Sequence, residues 1–86
     1  MKISFTTTRK TITVFFGNTL HLRLPRTGVV VHSWIDLFDG NDANFPSQCK
    51  FCIEYHLEDG RRILTEYAER KVWELILGEM AVVLMD

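Results

Sequence analysis

The sequence has few cysteines, no long apolar run and no acidic residue before Asp36. Two cysteines three residues apart cannot build the set of disulfides that holds small secreted domains together, so we expect reduced thiols. The longest apolar runs, 29–31 and 81–85, fall far short of the roughly 20 residues of a membrane helix, and the residues after Met1 do not resemble a signal peptide. We therefore expect a soluble, cytoplasmic protein with no membrane contact.

The 86 residues are 47% hydrophobic and 12% aromatic, which is too apolar for a disordered chain. A chain of this length can bury only about 60 to 65% of its unfolded surface, which is not enough for two separate cores. We predict a single globular domain over residues 1–86.

Apolar residues alternate with polar ones through the first 24 residues, with breaks at Arg9-Lys10 and Gly17-Asn18. A period of two predicts strands with one face on a core, and glycine suits a tight hairpin. Leu20, Leu22 and Leu24 are expected to share one face of the third strand. Pro25 ends that strand because it donates no ladder hydrogen bond.

Residues 28–38 predict a longer strand with apolar side chains on both faces, as in a strand covered twice. Residues 50–57 and 61–64 predict two more strands joined at Asp59-Gly60, a strong hairpin signal.

From Thr65 the pattern becomes helical, with Thr65 as N-cap and Gly78 as the end of the helix. Residues 80–85 fit either a short strand or a helical tail. The predicted fold is α+β, a largely antiparallel sheet of five or six strands with one C-terminal α-helix packed on a face. The predicted apolar stripe of the helix consists of Ala68, Val72, Leu75 and Ile76.

Cys49-x-x-Cys52, followed by His56, is the one pattern with metal-ligand spacing. Strand alternation places Cys49 on the face opposite Cys52 and His56, and no second cysteine pair completes a zinc site, so we expect no metal or other cofactor. The alternative is a turn after Pro46 that gathers both thiols with a histidine. His21, His32 and His56 all have the parity opposite the main apolar stripe, so one face could carry all three.

The sequence contains none of the common catalytic motifs considered below. Neither a Gly-x-Ser-x-Gly elbow nor a glycine-rich phosphate loop occurs, and His32 and Ser33 diverge as neighbours in a strand. The acidic cluster after Asp36 misses the calcium-loop pattern: counted from Asp39, Asn44 and Lys50 stand at the sixth and twelfth positions, where Gly and Glu are needed. We expect a protein that is not an enzyme.

Five of the ten basic residues precede the first acid, while all eleven acids follow from Asp36 onward. One interpretation is a basic nucleic-acid-binding face with an aromatic for base stacking, although the net charge of −1 opposes it. The other is that strands from both halves interleave in one sheet and the charges mix. The residues of the nucleic-acid hypothesis are Arg9, Lys10, Arg23, Arg26 and Phe15.

The predicted helix carries apolar residues over about 200° of its surface, wider than the roughly 100° that one sheet contact requires. Trp73 and Leu77 lie at the edge of this arc, and either reach the core rim or form a patch with Trp34 or Phe38.

The surplus apolar surface favours a small non-enzymatic protein-binding module, an adaptor or an inhibitor such as phages encode, that covers a surface of a larger partner. An acidic loop would steer a basic partner toward it. A homodimer is the alternative partnership, and nucleic-acid and metal binding are the alternative functions. The predicted partner-binding residues are Trp73, Leu77, Trp34, Phe38, Asp36, Asp39 and Asp42.

Overall fold

A computed structural model shows an α+β fold of six antiparallel strands and one C-terminal helix, and it describes residues 2–38 and 48–84. Asp39 and Asp42 lie outside the described residues, as does the side chain of Phe38. Within the described part of the chain, no helix is long and apolar enough to cross a membrane. The elements are β1 (Ile3–Thr7), β2 (Thr11–Phe16), β3 (Thr19–Pro25), β4 (Val30–Phe38), β5 (Gln48–His56), β6 (Arg62–Tyr67) and α1 (Arg70–Val83).

The strands form two three-stranded sheets, β1-β2-β3 and β4-β5-β6, so the prediction of one five- or six-stranded sheet is wrong. The chain leaves the first sheet after Pro25, which closes β3. Gly28 then adopts a φ of 72°, in the left-handed region that favours glycine, and a Cβ there would overlap the side chain of Glu58. This turn redirects the chain, and β4 pairs with β5 instead of β3.

Both predicted glycine hairpins are present. Gly17 links β2 to β3 with a φ of 61°, and Gly60 links β5 to β6 with a φ of 90°. In the second hairpin the Asp59 carboxylate accepts the backbone N–H of Arg61 at 3.0 Å, and that hydrogen bond is the main cause that lowers the pKa of Asp59. These turns set the register of each sheet locally.

A β-bulge in β3 changes the faces on which its residues lie. Val14 pairs with Leu22 while the next residue, Phe15, pairs with Leu20, so His21 is the extra residue. Leu20 therefore lies beside Phe15 on the outside and is 54% exposed. The prediction that Leu20 shares the core face with Leu22 is wrong because an inserted residue inverts the parity beyond it.

The helix begins later than predicted, because β6 continues through Tyr67. Thr65 is not an N-cap; it is buried in β6, and its hydroxyl donates to the carbonyl oxygen of Ile53 at 3.1 Å. Glu69 occupies the N-cap position of a helix that starts at Arg70. Residues 65–67 still alternate inward and outward, so they extend the ladder with β5 before helical periodicity begins.

The helix also ends later than predicted. It passes through Gly78 to Val83, and the backbone N–H of Leu84 donates to the carbonyl oxygen of Met80 at 2.9 Å. Residues 80–83 are therefore helical. Burial of Met80 and Val83 offsets the roughly 1 kcal/mol that an interior glycine costs relative to alanine.

One cluster of buried residues joins both sheets and the helix. The helix contributes Ile76, Met80 and Val83 at spacings of four and three, whereas Leu75 points away and is 50% exposed. The buried cluster consists of Ile12, Val14, Leu22, Leu24, Val29, Ile53, Tyr55, Leu57, Tyr67, Ile76, Met80 and Val83.

The orientation of the helix can be tested with two neighbouring residues. Ile76→Ala should lower the free energy of unfolding by about 2–4 kcal/mol because it opens a cavity in the core. Leu75→Ala, the matched control, should change it by less than about 1 kcal/mol. Urea unfolding of both variants measures the difference, and equal losses would show that the helix is rotated from this orientation.

Candidate functional site

The second sheet has a covered face and an exposed face. Its inner face carries Ile53, Tyr55 and Tyr67, which are buried against the helix and the first sheet. Register and alternation assign the opposite side chains to what we call the outer face. The outer face consists of Val30, His32, Trp34, Asp36, Lys50, Cys52, Glu54, His56, Arg62, Leu64 and Glu66.

Cys52 lies at the centre of the outer face, opposite Trp34 on one side and Glu66 on the other. It is nevertheless buried, and its Sγ donates to Oδ2 of Asp36 at 3.8 Å. Burial raises the pKa of the Cys52 thiol, and the negative charges of Asp36 and Glu66 raise it further. A thiol kept protonated in this way is a packing residue, because the thiolate is the nucleophile and the metal ligand.

The two cysteines lie on opposite faces of β5, as strand alternation predicts. Cys49 pairs with Leu37 on the inner-face side and is exposed, whereas Cys52 pairs with Trp34 on the outer face. Cys49, Cys52 and His56 therefore do not converge on one point. Within residues 2–38 and 48–84, no three His, Cys, Asp or Glu side chains are placed to hold a metal ion.

Two of the three histidines meet on the outer face. The rings of His32 and His56 have centroids 4.6 Å apart, and Nε2 of His56 is hydrogen-bonded to Oε1 of Glu54. Glu54 also lies opposite His32 in the ladder. The polar middle of the outer face is therefore organised by contacts among its own side chains.

His21 lies elsewhere, so the three histidines do not share one face. The bulge in β3 turns its ring inward, where it stacks on Phe16 with centroids 4.0 Å apart. Nε2 of His21 lies 2.7 Å from the hydroxyl of Tyr67, which joins the first sheet to the second. Burial lowers the pKa of His21 and raises the pKa of Tyr67.

The apolar side chains of β4 are unusually exposed. Val30 and Trp34 on the outer face are 56% and 36% exposed, and Ile35 and Leu37 on the other parity are 44% and 77% exposed. β4 is an edge strand of its sheet. The prediction of a strand covered on both faces is wrong here, because apolar residues of both parities suit an exposed edge strand as well as a covered one.

Trp73 and Leu77 lie on the opposite side of the sheet from Trp34. The indole N–H of Trp73 donates to the carbonyl oxygen of Cys52 at 2.9 Å, and its ring lies 5.5 Å from that of Phe51 on the inner face. Leu77 is partly buried against the core. Trp73 and Leu77 therefore lie at the rim of the core, and the alternative patch with Trp34 does not form because the sheet separates them.

An apolar groove of about 370 Å³ opens between β4 and the second half of the helix. Val31 and Ser33, which line it, have the same parity in β4 as the exposed Ile35 and Leu37. The residues that line it include Val31, Ser33, Leu77, Met80, Ala81 and Leu84.

The basic residues of the first half of the chain stay together on the first sheet. Arg9 and Lys10 occupy the β1–β2 turn, and Arg26 lies beside them, its Nη1 donating to the carbonyl oxygen of Thr8 at 2.8 Å. Arg23 projects from the face that also carries Phe15, and its Nε donates to Oγ1 of Thr13 at 3.3 Å. The interpretation that strands of the two halves interleave is wrong, since each half forms its own sheet.

The chain matches no protein-family model, no curated protein and no solved structure. The exposed surfaces of the two sheets are the features from which a function can be argued. Of these, β4 and the outer face combine exposed apolar groups with a polar surround, the composition typical of a binding surface.

The buried position of His21 predicts a pH-dependent stability. Its pKa is lowered in the folded protein, so between the unfolded value of about 6.5 and the lower folded value only the unfolded chain takes up the proton. The contribution of neutral His21 to the free energy of unfolding is therefore fully present above about pH 6.5 and is lost as the pH drops below that value. Urea unfolding should show that the free energy of unfolding falls more between about pH 7.5 and about pH 5.5 in the wild type than in His21→Gln.

His32→Gln is the matched control, because His32 is exposed on the outer face. This variant should keep the wild-type loss of stability at the lower pH. An unchanged loss in His21→Gln would mean that His21 does not titrate in this way.

Proposed function

We propose that this chain is a small non-enzymatic protein-binding module, an adaptor or inhibitor that covers a surface of a larger partner with β4 and the outer face of the second sheet. The observation that carries the proposal is the exposure of four large apolar residues along one edge strand. A partner that covers apolar groups on a rigid strand removes them from water, and this lowers the free energy by about 25 cal/mol per Å² of apolar area buried.

Trp34 is the proposed anchor. Its indole is partly exposed at the middle of β4, and the strand backbone beneath it is held by the ladder with β5. Tryptophan is enriched among the residues that dominate binding energy, since a large rigid ring buries much area for little loss of side-chain freedom. Trp73 and Leu77 remain predicted contacts, with a smaller role because both pack against the core.

Charged groups surround this anchor as a rim surrounds an interface. Asp36 follows Trp34 on the same face of β4, and Nζ of Lys50 lies 3.5 Å from Oε2 of Glu66 across β5 and β6. Rim charges of this type contribute more to orientation and association rate than to affinity. Asp36, with Asp39 and Asp42, would favour a partner with a basic surface.

Leu64 extends the apolar surface to the other edge of the sheet. It is half exposed on β6, opposite Glu54 of β5. The outer face therefore has apolar groups on both flanking strands and charged groups between them. A partner that fits it would be broad and relatively flat.

The anchor role of Trp34 can be measured once the partner has been captured from the native host and identified by mass. Trp34→Ala should weaken the affinity for that partner by about 2 kcal/mol, roughly thirty-fold, because a hot-spot side chain is lost. Titration calorimetry gives the affinity, and circular dichroism should show that the fold is retained.

Trp73→Phe is the control on the opposite face. It keeps a ring against Phe51 but loses the indole hydrogen bond to Cys52, so it should lower stability and weaken the affinity much less than Trp34→Ala does. An affinity lost in Trp73→Phe and kept in Trp34→Ala would place the binding surface on the helix side instead.

A second candidate function, nucleic-acid binding by the first sheet, is favoured by the separation of charge. No acidic residue occurs before Asp36, and the first sheet ends at Pro25, so the first sheet contains no carboxylate side chain. Arg23 and Phe15 share a face, which is the combination of phosphate contact and base stacking used for single strands.

This candidate predicts a steep salt dependence. If four cations contact phosphates of a single-stranded oligonucleotide, the affinity should fall roughly fifty-fold between about 50 and 200 mM salt, because counterions are released on binding. Replacing Arg9 and Lys10 together with glutamine should halve the logarithmic slope. Fluorescence anisotropy of a labelled oligonucleotide measures both effects, and a salt-independent affinity would eliminate this function.

A further inference from the structure

Among the residues that the structure describes, the outer edge of β4 lacks the charges, proline or short length that protect the other sheet edges. β4 is nine residues long, and His32 and Asp36 are its only ionisable residues. At the other edges, β3 carries Arg23 and Pro25, β6 carries Arg62 and Glu66, and β1 has only five residues. Charges, proline and short length are the devices that prevent edge-to-edge pairing, and a long apolar edge without them is a site for strand addition.

The sequence of β4 is self-complementary about Trp34. When two β4 strands pair antiparallel in one sheet, residues opposite each other must point to the same face. Odd-numbered residues can therefore pair only with odd-numbered ones and even with even, so each allowed register is centred on one residue. In the register centred on Trp34, His32 of each copy lies opposite Asp36 of the other, and the two Trp34 rings lie side by side. The His32 imidazole of each copy can donate one hydrogen bond to the Asp36 carboxylate of the other, so the two-fold axis generates two such bonds.

Neighbouring registers lose this match. A register centred on Ser33 places Asp36 opposite Val30, and one centred on Ile35 places Asp36 opposite Trp34. In both, the carboxylate faces an apolar side chain instead of a hydrogen-bond donor. Charge complementarity therefore selects the Trp34-centred register among those that parity allows.

The same register brings exposed apolar groups of one copy to the groove of the other. Leu37, which is 77% exposed, lies opposite Val31 of the second copy, and Ile35 lies opposite Ser33. Val31 and Ser33 line the apolar groove between β4 and the helix. Directly opposed side chains in a ladder have Cβ atoms about 4.5–5.5 Å apart, within reach of the groove for a leucine.

We propose that the backbone edge of β4 pairs with a second copy of this chain, antiparallel about Trp34, to form a continuous six-stranded sheet whose outer face stays available to the larger partner. Each copy inserts Ile35 and Leu37 toward the groove of the other, so two exposed surfaces cover each other. The dimer goes beyond the proposed function, because it joins two outer faces into one surface with both Trp34 rings at its centre.

Measurement of molar mass in solution tests this dimer. Sedimentation over a concentration series should show a species of twice the 10.0 kDa chain mass. Leu37→Glu should weaken the association by more than about 100-fold, since it places a carboxylate at an apolar groove. Leu20→Glu, which adds the same charge to an exposed position of the first sheet, should leave the mass unchanged.

A charge exchange tests the register. His32→Glu places a second carboxylate opposite Asp36 and should weaken the dimer, whereas adding Asp36→Lys to it restores opposite charges and should restore the dimer. A monomer at concentrations up to about 0.1 mM, or a dimer that resists both Leu37→Glu and His32→Glu, would overturn the proposal.

Failure of the dimer and failure of partner binding give different results. Leu64→Glu changes the outer face on β6, two strands away from the β4 edge. It should leave the sedimentation of the dimer unchanged while weakening capture of a partner by the outer face. A change in dimer mass caused by Leu64→Glu would place the self-association on the outer face and contradict edge pairing.

Discussion

Burial of the inner face of the second sheet is the constraint on which the rest of the structure depends. Ile53 and Tyr55 of the central strand are inaccessible to water, and the helix and the first sheet both pack into the cluster that contains them. Burying a large apolar side chain contributes about 1.5–3 kcal/mol, so a shift of one residue in β5, which would turn these side chains outward, is strongly disfavoured. That choice of face commits Cys52, Glu54 and His56 to the outer side.

The same alternation determines what each candidate site can do. It separates the two thiols, and it puts Trp73, bonded to the backbone of Cys52, on the far side of the sheet from Trp34. Cys52 is packed and protonated instead of reactive, because burial and nearby carboxylates raise its pKa. The most prominent surface feature of the second sheet is therefore the apolar edge strand β4, which lies beside an outer face of mixed charged and apolar side chains.

The turn after Pro25 gives the molecule two surfaces of different charge. It sends the basic first part of the chain into one sheet and the acidic remainder into a second sheet and the helix. His21 and Tyr67 connect the two sheets through a hydrogen bond, and Phe16 packs beside them. Because charges in the two sheets are not mixed strand by strand, each surface keeps its own sign toward an approaching partner.

The sequence by itself determined the local features: strands of period two, hairpins at Gly17 and Gly60, the opposite parity of Cys49 and Cys52, and a C-terminal helix. These follow from side-chain alternation and backbone sterics, which act within a few residues. Only the tertiary structure decided that there are two sheets, that a bulge turns His21 inward, that the helix starts at Arg70 and continues through Gly78, and that β4 is an exposed edge. Each of these depends on which distant segment covers a given face. The same apolar pattern occurs whether that face packs against this chain, binds another chain or is exposed to water.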